Sequence, residues 1–145
     1  ATNEYVSGLR VPSGTAPHFR AYKISKRFDQ DISAVMGAFN ITVSAKRITS
    51  ARLAFGGMAA TPKRAAQAEA CLVDKPVSME SFIAAAAALE ADFNPIDDMR
   101  ASADYRMQVA QNLLIKYAMD MTGTPVPHLV GTSGKSDIAN LLEAG

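Results

Sequence analysis

Two neighbouring stretches alternate with a period of two, and this limits what the chain can build. Val35, Gly37, Phe39, Ile41 and Val43 stand at odd positions, with Met36, Ala38, Asn40 and Thr42 between them. That alternation, with β-branched residues late in the run, predicts a half-buried strand. The polar turn "SAKR" follows. Residues 48–55 then place Ala51, Leu53 and Phe55 on one face and Arg52 on the other. The two runs are predicted to pair as an antiparallel hairpin. A further strand is expected at residues 5–11, closed by Pro12, Ser13 and Gly14. Residues 17–23 are expected to form one short helical turn with Pro17 at its start.

After Gly56 and Gly57 the period changes. "TPKR" predicts a helix with Thr61 as N-cap and Pro62 at its first position, running to about Val73. A second helix begins at Ser78, carries Phe82, Ala86, Leu89 and Phe93 on one stripe, and is stopped by Pro95. A third begins near Ser102. Its stripe is Met107, Ala110, Leu114, Tyr117, Ala118 and Met121, and Gly123 ends it. Strands first and helices after define an α+β fold: a three-stranded antiparallel sheet packed on a three-helix bundle, with the helices on one face. One domain is expected over residues 1–122. Residues 123–145, rich in Pro, Gly and Ser, are expected to be an extended tail.

The chain has 145 residues, enough for one domain with a proper core. With 48% hydrophobic and 20% charged residues it reads as globular, and a net charge of +1 argues against a broad nucleic-acid surface. The single cysteine, Cys71, cannot form an internal disulfide or ligate an ordinary iron–sulfur cluster. This suits a reducing, cytoplasmic setting. No metal-ligand spacing joins His18, His128 and the carboxylates, and no apolar run approaches a membrane span. The chain starts without Met, has no signal-peptide pattern, and is expected to be a piece of something longer.

Most of the chemistry-bearing candidates have plain structural readings. "GTSGKS" at residues 131–136 has Leu129 where a phosphate-binding loop needs glycine, and it reads as a polar linker. Cys71 lies among Ala70, Leu72 and Val73, as an inert buried thiol would. His18 has no base or carboxylate at a helpful spacing. In "DDMRASADYR" (residues 97–106) the acids read as caps of the third helix, with Arg100 paired to Asp97 or Asp98, or as part of a subunit contact. "AYKISKRFDQDI" (residues 21–32) crowds Lys23, Lys26 and Arg27 against Asp29 and Asp31. Surface pairs contribute only about 0–1 kcal/mol each. The residues leave two readings open: a charged crossover, or contact with an anion or cofactor. A free-standing binding or scaffolding module for an anionic partner is the alternative that physics alone allows.

"FRAYKISKRFDQDISAV", "ARLAFGGMAATPKRA" and "DMRASADYR", in that order, closely resemble the C-terminal domain of the FAD-containing small subunit of bacterial xanthine dehydrogenases. The corresponding module of carbon monoxide dehydrogenase flavoproteins is a more distant likeness. The resemblance spans about residues 5–122. It implies a three-stranded antiparallel sheet with a three-helix bundle, next to a preceding domain that holds most of the FAD. It implies that Lys23 contacts the flavin, as does Val6 of the first strand. It also implies that residues 24–34 border the flavin where NAD approaches. Phe28 stands where the animal pattern has a second arginine, so that arginine's role is not carried over. The implied enzyme oxidises hypoxanthine or xanthine at a molybdenum cofactor on a partner subunit and passes electrons through iron–sulfur clusters to FAD, where NAD is reduced. This fragment alone is expected to be inactive.

Overall fold

The computed structural model describes residues 4–11, 14, 16–27 and 31–125. Its order is β1 (Arg20–Ile24), β2 (Val35–Ser44), β3 (Arg47–Gly56), β4 (Lys63–Arg64), α1 (Ala66–Leu72), α2 (Met79–Asp92) and α3 (Ala103–Thr122). The strands form one antiparallel meander in the order β1-β2-β3-β4. The helices pack on one face of it. The fold is therefore α+β as expected, with four strands rather than three.

The hairpin of β2 and β3 is the one its alternation predicts. Val35, Phe39 and Ile41 from β2 meet Ala51, Leu53 and Phe55 from β3 in the core. Phe39 is the centre of an aromatic cluster: its ring lies 5.8 Å from Tyr22, 5.0 Å from Phe55 and 5.5 Å from Tyr117. Gly37 lies beneath that ring, and a Cβ there would come within 2.4 Å of it. The two residues joining the strands, Ala45 and Lys46, have φ of 48° and 63°. Both angles positive is the primed turn that matches strand twist, here made without glycine.

The first strand lies elsewhere than expected. Residues 5–11 have no regular secondary structure, and Tyr5, Val6, Leu9 and Val11 are 80 to 90% exposed. The place beside β2 is taken by Arg20–Ile24, which overlaps residues 17–23, expected to be a helical turn. There Tyr22 and Ile24 reach the core while Ala21 and Lys23 face away. A strand needs a ladder to join, and β1 offers β2 a second apolar contact with Phe39 that a helical turn would lose.

The first helix also starts late. Lys63 and Arg64 pair with Phe55 and Ala54 as β4, so Thr61 and Pro62 precede a strand and not a helix. Arg64 is held there by Glu69, whose buried carboxylate also accepts the Leu53 N–H at 2.8 Å. The N-cap of α1 is Ala65, which has no capping side chain. The cap comes from the end of α2: Asp92 accepts Gln67 N–H at 2.9 Å and Ala68 N–H at 3.0 Å. The other helix ends follow expectation. Ser78 caps α2, Ser102 caps α3, and Gly123, at φ 74°, closes α3 by donating to Met119 O. Among the described residues no helix is long and apolar enough to cross a membrane. Residues 126–145, most of the expected tail, lie outside the described residues, as do His128 and "GTSGKS".

Two stability outcomes follow, each read by urea unfolding at pH 7. Lys46→Gly removes a left-handed strain of about 1 kcal/mol and raises the midpoint. Asp92→Ala leaves two amides of α1 without acceptors, and stability falls by about 1–2 kcal/mol.

Candidate functional site

The three sequence blocks of the resemblance meet at Arg106. This residue is on the first turn of α3, only 3% exposed. One guanidinium nitrogen donates to Ala34 O, at the base of the charged loop, and to Gly57 O at 3.0 Å. The other donates to Asp98 Oδ1 at 2.6 Å. Gly57 has φ of 81°, and a Cβ on it would lie 2.2 Å from Ala34 O and 3.1 Å from the Arg106 guanidinium. Glycine is required there by both conformation and close approach.

Asp98 organises the turn ahead of α3. Its Oδ1 also accepts the N–H groups of Arg100 at 2.8 Å and Ala101 at 3.1 Å. Those amides, and then Arg106, hold its carboxyl below the usual carboxylate range. Asp97 accepts Ala103 N–H at 2.7 Å. Asp97 thus caps the helix as expected, while Asp98 holds the turn before it. The ion partner of Asp98 is Arg106, and Arg100 meets Asp98 through its backbone N–H.

The charged loop leaves β1 at Ile24 and rejoins the sheet at Ala34, whose N–H donates to Ile24 O at 2.8 Å. Within it Arg27 pairs with Asp31 at 3.4 Å, and the Arg27 N–H also donates to that carboxylate. These contacts depress the Asp31 carboxyl. Lys26 donates to Met99 O at 2.8 Å, crossing to the turn that Asp98 shapes. Residues 28–30, including Phe28 and Asp29, lie outside the described residues. Between loop and turn is a cleft of about 380 Å³, with Ser25, Lys26 and Ala34 on one side. Arg100, Ala101, Ser102 and Tyr105 line the other.

Lys23 is exposed on the sheet face opposite the helices. It stands opposite Met36, which pairs in turn with Gly56. The neighbouring row is Ala21, Ala38 and Ala54, so the face around Lys23 is shallow. Val6 belongs to the exposed segment before β1 and is 80% exposed. His18 is half-buried and contributes its backbone carbonyl, which accepts the Tyr117 hydroxyl at 2.6 Å. Burial raises the Tyr117 hydroxyl to about 12. Cys71 is half-buried near the end of α1. Among the described residues no group of three His, Cys, Asp or Glu side chains could hold a metal ion.

Sequence reasoning found the charged loop and the caps but missed the Arg106–Gly57–Asp98 junction. The available signal was position: Arg106 precedes Ala110, Leu114 and Tyr117 on the buried face of α3, where a charge requires partners.

Comparison with known proteins agrees with this architecture. Residues 20–121 match the family model of the CO dehydrogenase flavoprotein C-terminal domain. Xanthine dehydrogenase of Emericella nidulans is 36% identical over 124 residues, covering 80% of this chain and 9% of that protein. The carbon monoxide dehydrogenase medium chain of Afipia carboxidovorans is 29% identical, over 77% of this chain and 38% of that one. Thus the chain spans less than two-fifths of either relative. Among solved structures, carbon monoxide dehydrogenase from Hydrogenophaga pseudoflava superposes with a TM-score of 0.63 at 28% identity, covering 68% of this chain and 34% of that one. Quinoline 2-oxidoreductase from Pseudomonas putida 86 shares the fold, with a TM-score of 0.65 at 23% identity over 74% of this chain and 38% of that one. The chain belongs to the family of CO dehydrogenase flavoprotein C-terminal domains, shared by xanthine and carbon monoxide dehydrogenases.

Proposed function

We propose that this domain borders the flavin of a xanthine dehydrogenase whose FAD is held mainly by a preceding domain. Residues 1–122 form the flavin-adjacent unit and residues 123–145 its tail. The fragment has no catalysis of its own. The intact enzyme oxidises hypoxanthine or xanthine at a molybdenum cofactor on a partner subunit, in the cytoplasm, with iron–sulfur clusters between the centres. Lys23 and Val6 would border the flavin, which when bound would supply the electron-transfer chemistry linking those centres to NAD.

The observation that carries this reading is the setting of Lys23. Its side chain leaves an open sheet face floored by Ala21, Ala38, Ala54 and Gly56, with the Met36 side chain beside it, a surface against which a planar ring could lie. Among the described residues, Lys26 and Arg27 are occupied by Met99 O and Asp31, while Lys23 has no hydrogen bond or ion pair. Such an ammonium is available to a ligand. Near the ring it stabilises the negative charge that reduction brings, by an amount on the order of 1 kcal/mol at partly solvated range. Val6, from the segment before β1, supplies an apolar contact to the same ring. The identity to a xanthine dehydrogenase favours a purine hydroxylase over a carbon monoxide enzyme.

The test uses the intact, flavin-loaded enzyme. Lys23→Ala is expected to retain its flavin, shift the flavin midpoint potential to a more negative value, and slow electron arrival at the flavin, and through it overall NAD turnover, about tenfold, equal to about 1.4 kcal/mol of barrier. Lys23→Arg is expected to keep most of both. Unchanged spectrum, potential and turnover in Lys23→Ala would remove Lys23 from the flavin site.

A further inference from the structure

We infer that Asp98 and Arg106 are a positioning pair that fixes the two described ends of the charged loop, residues 25–27 and 31–34, so that the helix bundle sets where Lys26 and Arg27 stand. The importance of that loop to a flavin rests on the function proposed above; the clamp itself rests on geometry alone.

Among the described residues, three hydrogen bonds tie the loop to the domain. The first, Ala34 N–H to Ile24 O, only closes its neck. The second runs from Ala34 O to the Arg106 guanidinium. The third runs from Lys26 to Met99 O, on the turn whose shape Asp98 holds through the Arg100 and Ala101 amides. One tether beyond the neck thus ends on Arg106 and the other on the turn that Asp98 shapes, the two members of one ion pair. Arg106 in turn is fixed from below, because α3 is anchored in the core by Ala110, Leu114 and Tyr117. Within the loop, the Arg27 side chain is 74% exposed, and its pair with Asp31 is a surface one. Such a pair does little to hold a segment in place.

Stability is a weak account of Arg106. Its Nε is buried and has no hydrogen-bond partner among the described residues, and an orphaned buried donor is unfavourable. Replacing a buried ion pair by apolar packing is often neutral or stabilising. What an apolar side chain cannot do is bind Ala34 O, Gly57 O and Asp98 at once. A planar guanidinium with several fixed donors does so, and a lysine ammonium has neither the span nor the geometry.

The test reads loop release directly. Limited trypsin digestion of the full 145-residue chain is followed by mass spectrometry, comparing wild type with Arg106→Lys and the milder Asp98→Asn. Cuts after Lys26 and Arg27 are expected to accelerate about tenfold, as local opening becomes more populated. Cuts after Lys63 and Arg64, within β4, are expected to stay near wild-type rates. Asp98→Asn keeps an oxygen for the turn amides, so it reports even if Arg106→Lys does not fold. Uniform acceleration at all four sites in Asp98→Asn would mean general destabilisation and overturn the clamp; so would unchanged cutting at Lys26 and Arg27. In the intact enzyme, Asp98→Asn is expected to shift the flavin midpoint potential with flavin content unchanged. Faster loop cutting without that shift would leave the clamp standing and refute the flavin reading of the loop.

Discussion

Arg106 enters the domain interior from the first turn of α3, and its guanidinium has three acceptors on three different segments. Ala34 precedes β2, Gly57 follows β3, and Asp98 precedes α3 itself. These are the points at which the sheet's loops and the helix bundle meet. A charge this deeply placed is tolerated only when its donors are used, so burial and geometry enforce each other. The required glycine at 57 belongs to the same constraint, since any side chain there would strike the Ala34 carbonyl. The loop, the glycine pair and the helix entry are thus one structural unit drawn from separate stretches of sequence.

Beneath this junction the core does the ordinary work of an α+β layer. Phe39 is central because β2 is flanked by β1 and β3 and lies under α3. It touches Tyr22, Phe55 and Tyr117, one from each of those elements. Tyr22 extends the link through its hydroxyl, which donates to Asp120 on α3. Burial and the Asp120 carboxylate both push that hydroxyl's ionisation well above its ordinary range. It therefore stays protonated, a fixed donor between the edge strand and the last turns of α3. The strand that carries Lys23 is in this way pinned from its inner face, leaving its outer face open.

Legibility in the sequence followed the range of the interactions. The β2–β3 hairpin, Ser78, Ser102 and Gly123 were readable because alternation and capping act within a few residues. The first strand was not, because residues 5–11 and 20–24 both alternate, and only the second has a ladder partner among the described residues. Thr61 and Pro62 look like a helix start on local rules. The edge of β3 claims Lys63 and Arg64 first, and α1 is capped by Asp92, 25 residues beyond Gln67. At the site, the crowding of charge was plain. Its division into tethers and an open cation was not, because Met99 lies 73 residues from Lys26.

That division resolves what stability could not explain. Three cations within five residues would be poor value as surface ion pairs, and the structure uses them differently. Arg27 closes the loop on Asp31, and Lys26 fastens it to the turn before α3. Lys23 precedes the loop on a rigid strand, so its backbone is fixed even though its amine is open to solvent. The fixed backbone limits where the amine can reach, while the unpaired side chain still gives up rotamer freedom on ordering. On the function proposed above, the charges of Lys26, Arg27 and Asp31 would add a field beside the flavin whose position depends on the Asp98–Arg106 pair. Moving the loop by even a small distance would alter that field without changing a single residue beside the ligand.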